Sequence, residues 1–121
     1  MGHDPKRGRH RALRRGWIAE YLAAFALMVK GYRILTMRYR LGAGEIDIIA
    51  RKGDLVIFVE VKARRDTLAA IHAVSTESQK RIRNASLGWL ARQRDAARIS
   101  QRFDIVTVAP FSWPRHFPDA F

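Results

Sequence analysis

Gly44-Glu45-Ile46-Asp47-Ile48-Ile49-Ala50 and, after four intervening residues, Leu55-Val56-Ile57-Phe58-Val59-Glu60-Val61-Lys62 decide the fold. Both stretches are rich in β-branched residues, and Arg51-Lys52-Gly53-Asp54 between them has the composition of a hairpin loop. The predicted strands are 45–50 and 55–62. Side chains alternate faces along a strand, so Glu45, Asp47 and Ile49 are expected on one face and Ile46 and Ile48 on the other. On the second strand Val56, Phe58, Glu60 and Lys62 share a face. A four-residue loop would pair Ala50 with Leu55, set Asp47 opposite Phe58 and Glu45 opposite Glu60, and leave Asp47 and Glu60 as diagonal neighbours.

Carboxylates on strands that are otherwise apolar repel one another, and without a counter-ion one of them is driven toward its neutral form. A hard divalent cation resolves the conflict. Mg²⁺ takes one or two carboxylates and keeps water and phosphate oxygens as its remaining ligands. Lys62 projects toward the same place, where an ammonium can hold a water or stabilise charge on a phosphoryl group. Spacing alone also leaves open a structural salt bridge between Lys62 and a carboxylate.

Outward from this hairpin, Trp17 to Lys30 reads as a helix, with Ile18, Tyr21, Leu22, Phe25 and Val29 at helical spacing. Ala23, Ala24 and Leu27 make its other side apolar too, so broad burial is expected. Glu20 is the one acid in it, and Gly31 is a C-cap. Tyr32 to Arg40 reads as a strand, with Leu35, Met37 and Tyr39 on one face, followed by a glycine-rich turn. Ser75 is a predicted N-cap for a second helix whose inner face is Ile82, Ala85, Ser86, Trp89 and Leu90. Arg102 to Ala109 is a last strand, and the partly apolar tail after Pro114 is expected to dock on the body. The order helix, three strands, helix, strand predicts an α/β fold, a mixed central sheet flanked by helices.

The chain has 121 residues, enough for one domain. Residues 1–15 read as a flexible basic arm and 16–121 as the folded unit. The absence of cysteine excludes disulfides, thiolate nucleophiles and Cys-based metal sites, and fits a reducing cytoplasm. His3, His10, His72 and His116 show no ligand spacing. The apolar stretch 17–29 is too short to span a bilayer and contains Glu20, so no membrane segment is expected. Lys plus Arg number 23 against 11 Asp plus Glu, a formal charge of +12, which favours polyanionic partners and above all nucleic acid.

The paired stretches Gly44–Ala50 and Phe58–Arg64 resemble the signature of the YraN family of bacterial proteins. That family is in turn similar to the PD-(D/E)xK nuclease superfamily, which includes Holliday-junction resolvases and restriction endonucleases. The resemblance extends to Gly16, Glu20 and Ala23, to 31–35, to Gln79–Ile82 with Ala85, to 102–104 and to 119–121, nearly all the chain after residue 15. It implies a restriction endonuclease-like core in which Asp47 and Glu60 bind Mg²⁺ or Mn²⁺, Glu20 joins the metal site, and Lys62 is the catalytic lysine. It implies an endonuclease acting on DNA rather than RNA, at branched or distorted structures. A resolvase cutting two strands symmetrically would be a homodimer. Arg14, Arg15, Arg64, Gln79, Lys80 and Arg83 are the expected nucleic-acid contacts, made to the backbone and without sequence readout. Two departures stand out. Ile46 replaces the proline of the superfamily name, as it does in the YraN pattern, and Ser78 stands where a long polar or basic side chain is usual. The alternative readings are a catalytically inactive nucleic-acid-binding module on the same fold and an adaptor acting through the basic arm.

Overall fold

The computed structural model describes residues 5–63 and 74–121, with side chains from residue 16 onward in the first helix. The elements are α1 (Pro5–Val29), β1 (Arg33–Leu41), β2 (Gly44–Lys52), β3 (Leu55–Lys62), α2 (Thr76–Ala91), a 3₁₀ turn (Ala96–Arg98), β4 (Ser100–Thr107) and β5 (Arg115–Phe117). The five strands form one mixed sheet in the order β1-β2-β3-β4-β5, antiparallel except for the parallel pair β3–β4. α2 makes the crossover that a parallel pair requires. The predicted α/β class holds, and the tail does dock, as the edge strand β5.

Two apolar layers enclose the sheet. On one face Ala19, Ala23, Ala24 and Leu27 of α1 pack against Ile48, Ala50, Ile57, Val59 and Val106. On the other, Ile82, Ala85 and Trp89 of α2 pack against Ile46, Ile49, Val56, Phe58 and Phe103. The inner face of α2 is the one its spacing predicts. That of α1 is not. Small residues face the sheet, and the large ones at helical spacing, Ile18, Tyr21, Leu22, Phe25 and Val29, are exposed. An alanine face lets the helix axis approach the sheet closely and leaves its bulky stripe outside.

Local chemistry sets the helix ends. At α1, Tyr32 N–H donates to the Leu27 carbonyl and Gly31 N–H to that of Met28, with Gly31 at φ +96. These are the two bonds of a Schellman cap, which needs a left-handed residue. At α2 the Ser75 hydroxyl accepts the Ser78 N–H at 3.1 Å, and Glu77 lies in the first turn. The backbone of α1 starts at Pro5, so the basic stretch expected as a separate arm is largely contained in that helix.

The β2–β3 register differs from the expected one. Lys52 pairs with Leu55, Ala50 with Ile57 and Ile48 with Val59. The loop is therefore only Gly53-Asp54, with Gly53 at φ +62 in the first central position, where a type II′ turn takes glycine. Arg51 fixes it, donating to the Gly53 carbonyl at 2.7 Å and pairing with Asp95 at 2.8 Å. The slip is two residues, an even shift, so the paired residues Ile48–Val59 to Lys52–Leu55 keep their relative faces, whereas an odd slip would have reversed them.

Strict alternation fails at one place. Met37 and Ile48 pair and pack toward α1, yet Tyr39 and Ile46, two residues along each strand, pair and pack toward α2. Arg38 between the first two has φ +55, a left-handed conformation uncommon for such a residue, and a bulge lies between Ile34 and Thr36. Leu35, Met37 and Tyr39 therefore do not share a layer, nor do Ile46 and Ile48, contrary to the period-two reading.

Gly44, at the start of β2, is where α2 sits closest. A Cβ there would collide with the Arg81 carbonyl oxygen and stand 2.9 Å from the Ala85 Cβ. Gly44→Ala is expected to destabilise the chain by about 1–3 kcal/mol through overpacking. The measurement is a urea midpoint, which should fall with an unchanged m-value. An unshifted midpoint would mean that α2 is not seated on β2 as described.

Candidate active site

The pairing of β2 with β3 stops at Ile48–Val59, while β1 follows β2 on to Gly44 and β4 follows β3 on to Lys62. The two central strands therefore part at Asp47 and Glu60. The Asp47 carboxylate bridges the opening, its Oδ2 accepting the Val61 N–H at 2.8 Å. A side chain thus does the work of a ladder carbonyl and holds the fork open at a fixed width.

A polar cavity of about 210 Å³ occupies the fork, lined by Ala43, Glu45, Asp47 and Glu60 from the strands and by Ser78, Arg81 and Ile82 from α2. Burial pushes Asp47 up to about 8, and the charge of Glu60 adds to this, against the Val61 hydrogen bond that favours the ionised form. Glu20 and Glu45 contribute smaller repulsions. Lys62 Nζ lies 3.2 Å from Glu60 Oε1, both side chains being mostly buried. The salt bridge left open by the spacing is present, and its carboxylate is Glu60.

Asp47, Glu60 and Lys62 thus come together at one opening. Glu20 lies in a separate concavity with Trp17, Tyr21, Met37 and Arg38. Its carboxylate accepts from Arg38 Nε at 2.6 Å, and Arg38 in turn stacks on Trp17 with 4.9 Å between its guanidinium carbon and the ring centroid. Gln79 turns its amide back to the Val74 carbonyl, at 3.2 Å. Lys80 is exposed, and Arg83 is stacked 4.6 Å over the Phe103 ring. The side chains of Arg14 and Arg15, and Arg64 entirely, lie outside the described residues.

Two charged lining residues were absent from the expected site. Glu45 is in the cavity, as its shared parity with Asp47 foretold, and pairs loosely with Arg40 at 3.6 Å. Arg81 is the cation on the α2 wall, half-exposed and held by Glu77 at 2.9 Å. Its signal was its helical position, four residues before the inward-facing Ala85.

Among the described residues no three His, Cys, Asp or Glu side chains are grouped closely enough to hold a metal ion unaided. The donor set at the fork is a pair of carboxylates, Asp47 and Glu60. That pair fits Mg²⁺, which completes its shell with water and phosphate oxygens, and a cation would offset the desolvation and the Glu60 charge that raise the proton affinity of Asp47. A larger cavity of about 490 Å³ lies against α1, with no titratable side chain among its described lining residues.

The site and fold together define a class: an α/β/α protein with a carboxylate pair and a lysine where the two central strands of a mixed sheet part. Within it, residues 19–108 match the model of a family described as Uncharacterised protein family UPF0102, and the chain belongs to that family, the YraN family of the sequence reading. It is 66% identical over 113 residues to a UPF0102 protein of Rhizobium etli (strain CIAT 652), which covers 93% of each chain. A UPF0102 protein of Rhizobium meliloti (strain 1021) is 62% identical over 111 residues, covering 92% of this chain and 91% of its own. One from Mesorhizobium japonicum is 54% identical over all 121 residues, 97% of its own length. Among the described residues no helix is long and apolar enough to cross a membrane.

Proposed function

We propose that this protein is a metal-dependent endonuclease that hydrolyses phosphodiester bonds in structured DNA within a reducing cytoplasm. The observation that carries the reading is the fork itself: Asp47 and Glu60 line one polar cavity, Lys62 pairs with Glu60, and Asp47 is pushed up to about 8. A structural ion pair needs one carboxylate for one ammonium. The second carboxylate, Asp47, is part-buried and outside that pair, and holding a charge there without a cation is costly.

Asp47 and Glu60 would hold Mg²⁺ or Mn²⁺, which when bound supplies Lewis-acid polarisation of the phosphoryl oxygens and lowers the proton affinity of an attacking water. The chain's own residues do the rest. Lys62 donates from its ammonium to the water or to a phosphoryl oxygen as negative charge accumulates there. Arg81, on the opposite wall, neutralises the phosphate as it enters, and Ser78 offers a hydroxyl from the first turn of α2. The surplus of Lys and Arg holds the nucleic-acid backbone without reading bases, so binding weakens steeply with salt.

The test is cleavage of a labelled panel (duplex, single strand, flap and four-way junction) with Mg²⁺ or Mn²⁺, comparing the wild type with Glu60→Ala and Lys62→Ala. Cutting is expected from the wild type and a loss of at least ~10²-fold from each variant, the scale of removing one electrostatic contributor to a transition state. Salt-sensitive binding without cutting, the same in all three proteins, would leave a binding module on a nuclease-like fold. Binding to RNA in preference to DNA would overturn the substrate class.

A further inference from the structure

α1 presents its apolar stripe away from the core. Ile18, Leu22, Phe25 and Val29 run along its outer side, each about half exposed. The turn after β4 extends this surface. Trp113 meets the Phe25 ring edge-on at a centroid distance of 5.9 Å, and Phe111 stands clear of the chain at 109% relative exposure. Phe111 also has φ +60. A bulky residue held in left-handed backbone costs of order 1–3 kcal/mol, and burial within the chain does not offset it here, because Phe111 is fully exposed.

Phe111 is itself one edge of an apolar cavity of about 490 Å³ between α1 and the same turn, with Ile18, Leu22 and Trp113 also in its wall. A knob and a hole thus sit on one surface, which is what an isologous two-fold contact requires. The exposed parts of the three aromatic residues alone, at about 150–250 Å² for a full side chain, offer on the order of 300–550 Å² per copy, to which Ile18, Leu22 and Val29 add, against the ~800 Å² per partner of a specific interface. Charge points the same way. The chain carries +12, so two copies repel unless they meet where charge is absent, and the described lining of this cavity contains no charged side chain. The same absence makes it a poor landing place for a polyanion.

We infer that this face pairs two copies of the chain, with Phe111 of each seated in the apolar cavity of the other. The inference is independent of whether the fork cleaves nucleic acid, since it involves none of the same side chains.

Sedimentation equilibrium from about 10 nM to 100 μM, spanning the μM-to-nM part of the range in which interfaces of this size associate, tests it. The wild type is expected at twice the 13.9 kDa chain mass. Phe111→Asn, which suits left-handed backbone and so leaves folding intact, should weaken self-association at least ~100-fold, the size of a hot-spot loss. Leu22→Arg, at a partly exposed position in the cavity wall, should do the same, with the circular dichroism spectrum of both variants unchanged. A wild type that is monomeric throughout, or a dimer that survives both substitutions, overturns the proposal. So does a monomer that binds phosphatidylglycerol vesicles through Phe111, which would make the face a membrane contact.

Discussion

Asp47→Asn is expected to raise the stability of the metal-free protein at pH 8 while removing the proposed Mg²⁺-dependent cleavage. Burial and the neighbouring Glu60 push the Asp47 carboxyl up to about 8, far above its value of about 3.9 in an unfolded chain. The unfolded state therefore releases this proton first. As pH rises from about 4 toward 8, folding must either keep the proton or accept a buried charge, and stability declines through that window. Asparagine keeps an oxygen to accept the Val61 N–H and has no proton to lose, so the decline attributable to this position disappears. A gain of about 1–2 kcal/mol at pH 8 is expected, within the range by which replacing a strained functional group stabilises a protein, with no gain at pH 4. Thermal melts at the two pH values measure it. Saturating Mg²⁺ should stabilise the wild type at pH 8 and leave the variant unmoved, because a ligand that binds only the folded state raises its midpoint. Equal melts of both proteins at pH 8 would show that Asp47 carries no burden, and the argument for a cation at the fork would go with it.

The largest loss of stability is expected from Asp104→Ala. Asp104 is completely buried beneath the C-terminal segment. Its carboxylate accepts two hydrogen bonds from Arg102 at 2.8 Å, one across the His116 Nε2 contact at 2.7 Å, and the Asp119 backbone N–H at 3.0 Å. Burial works against its ionisation, yet Arg102, His116 and the Asp119 amide together hold it at about 2. Alanine would take away the carboxylate that a part-buried guanidinium and a nearly buried imidazole share, a change that costs about 3–5 kcal/mol. The chemical-denaturation midpoint should drop accordingly. The same group gives an acid limit: its contribution is complete above about pH 4 and is lost as pH falls toward 2. An Asp104→Ala protein that melts like the wild type at pH 7 would contradict this account of how β5 is held.

Much of this was written in the chain in plain terms. The β3 bounds, the Ser75 cap, the inner face of α2 and the convergence of Asp47, Glu60 and Lys62 follow from periodicity and parity alone. What was missed has physical causes. The hairpin register depends on turn conformation, and four polar residues do not announce that only Gly53-Asp54 will turn. The α1 orientation was misread because hydrophobic spacing identifies a stripe without saying whether this chain or another surface covers it. The layer switch at Arg38 arises from one backbone angle that no side-chain pattern encodes. Arg81 joins the fork through a crossover helix, a relation between elements remote in sequence. Asp104 was read merely as one member of an alternating strand, because its partners Arg102, His116 and Asp119 gather only when the tail folds back.

The strand meander has a consequence for the order in which the molecule assembles. β1, β2 and β3 are joined by very short turns, so their contacts close small loops at little entropic cost, whereas the parallel pairing of β3 with β4 must wait for the whole α2 crossover. Asp47, Glu60 and Lys62 all belong to that early-closing meander. The angle between the acids is therefore set by nearest-neighbour chain geometry, and α2 arrives afterwards as a wall against a fork already formed. Amide exchange during refolding should protect Ile48 and Val59 before Ile105, and a lengthened connection between β3 and α2 should slow completion of the sheet without disturbing the acids.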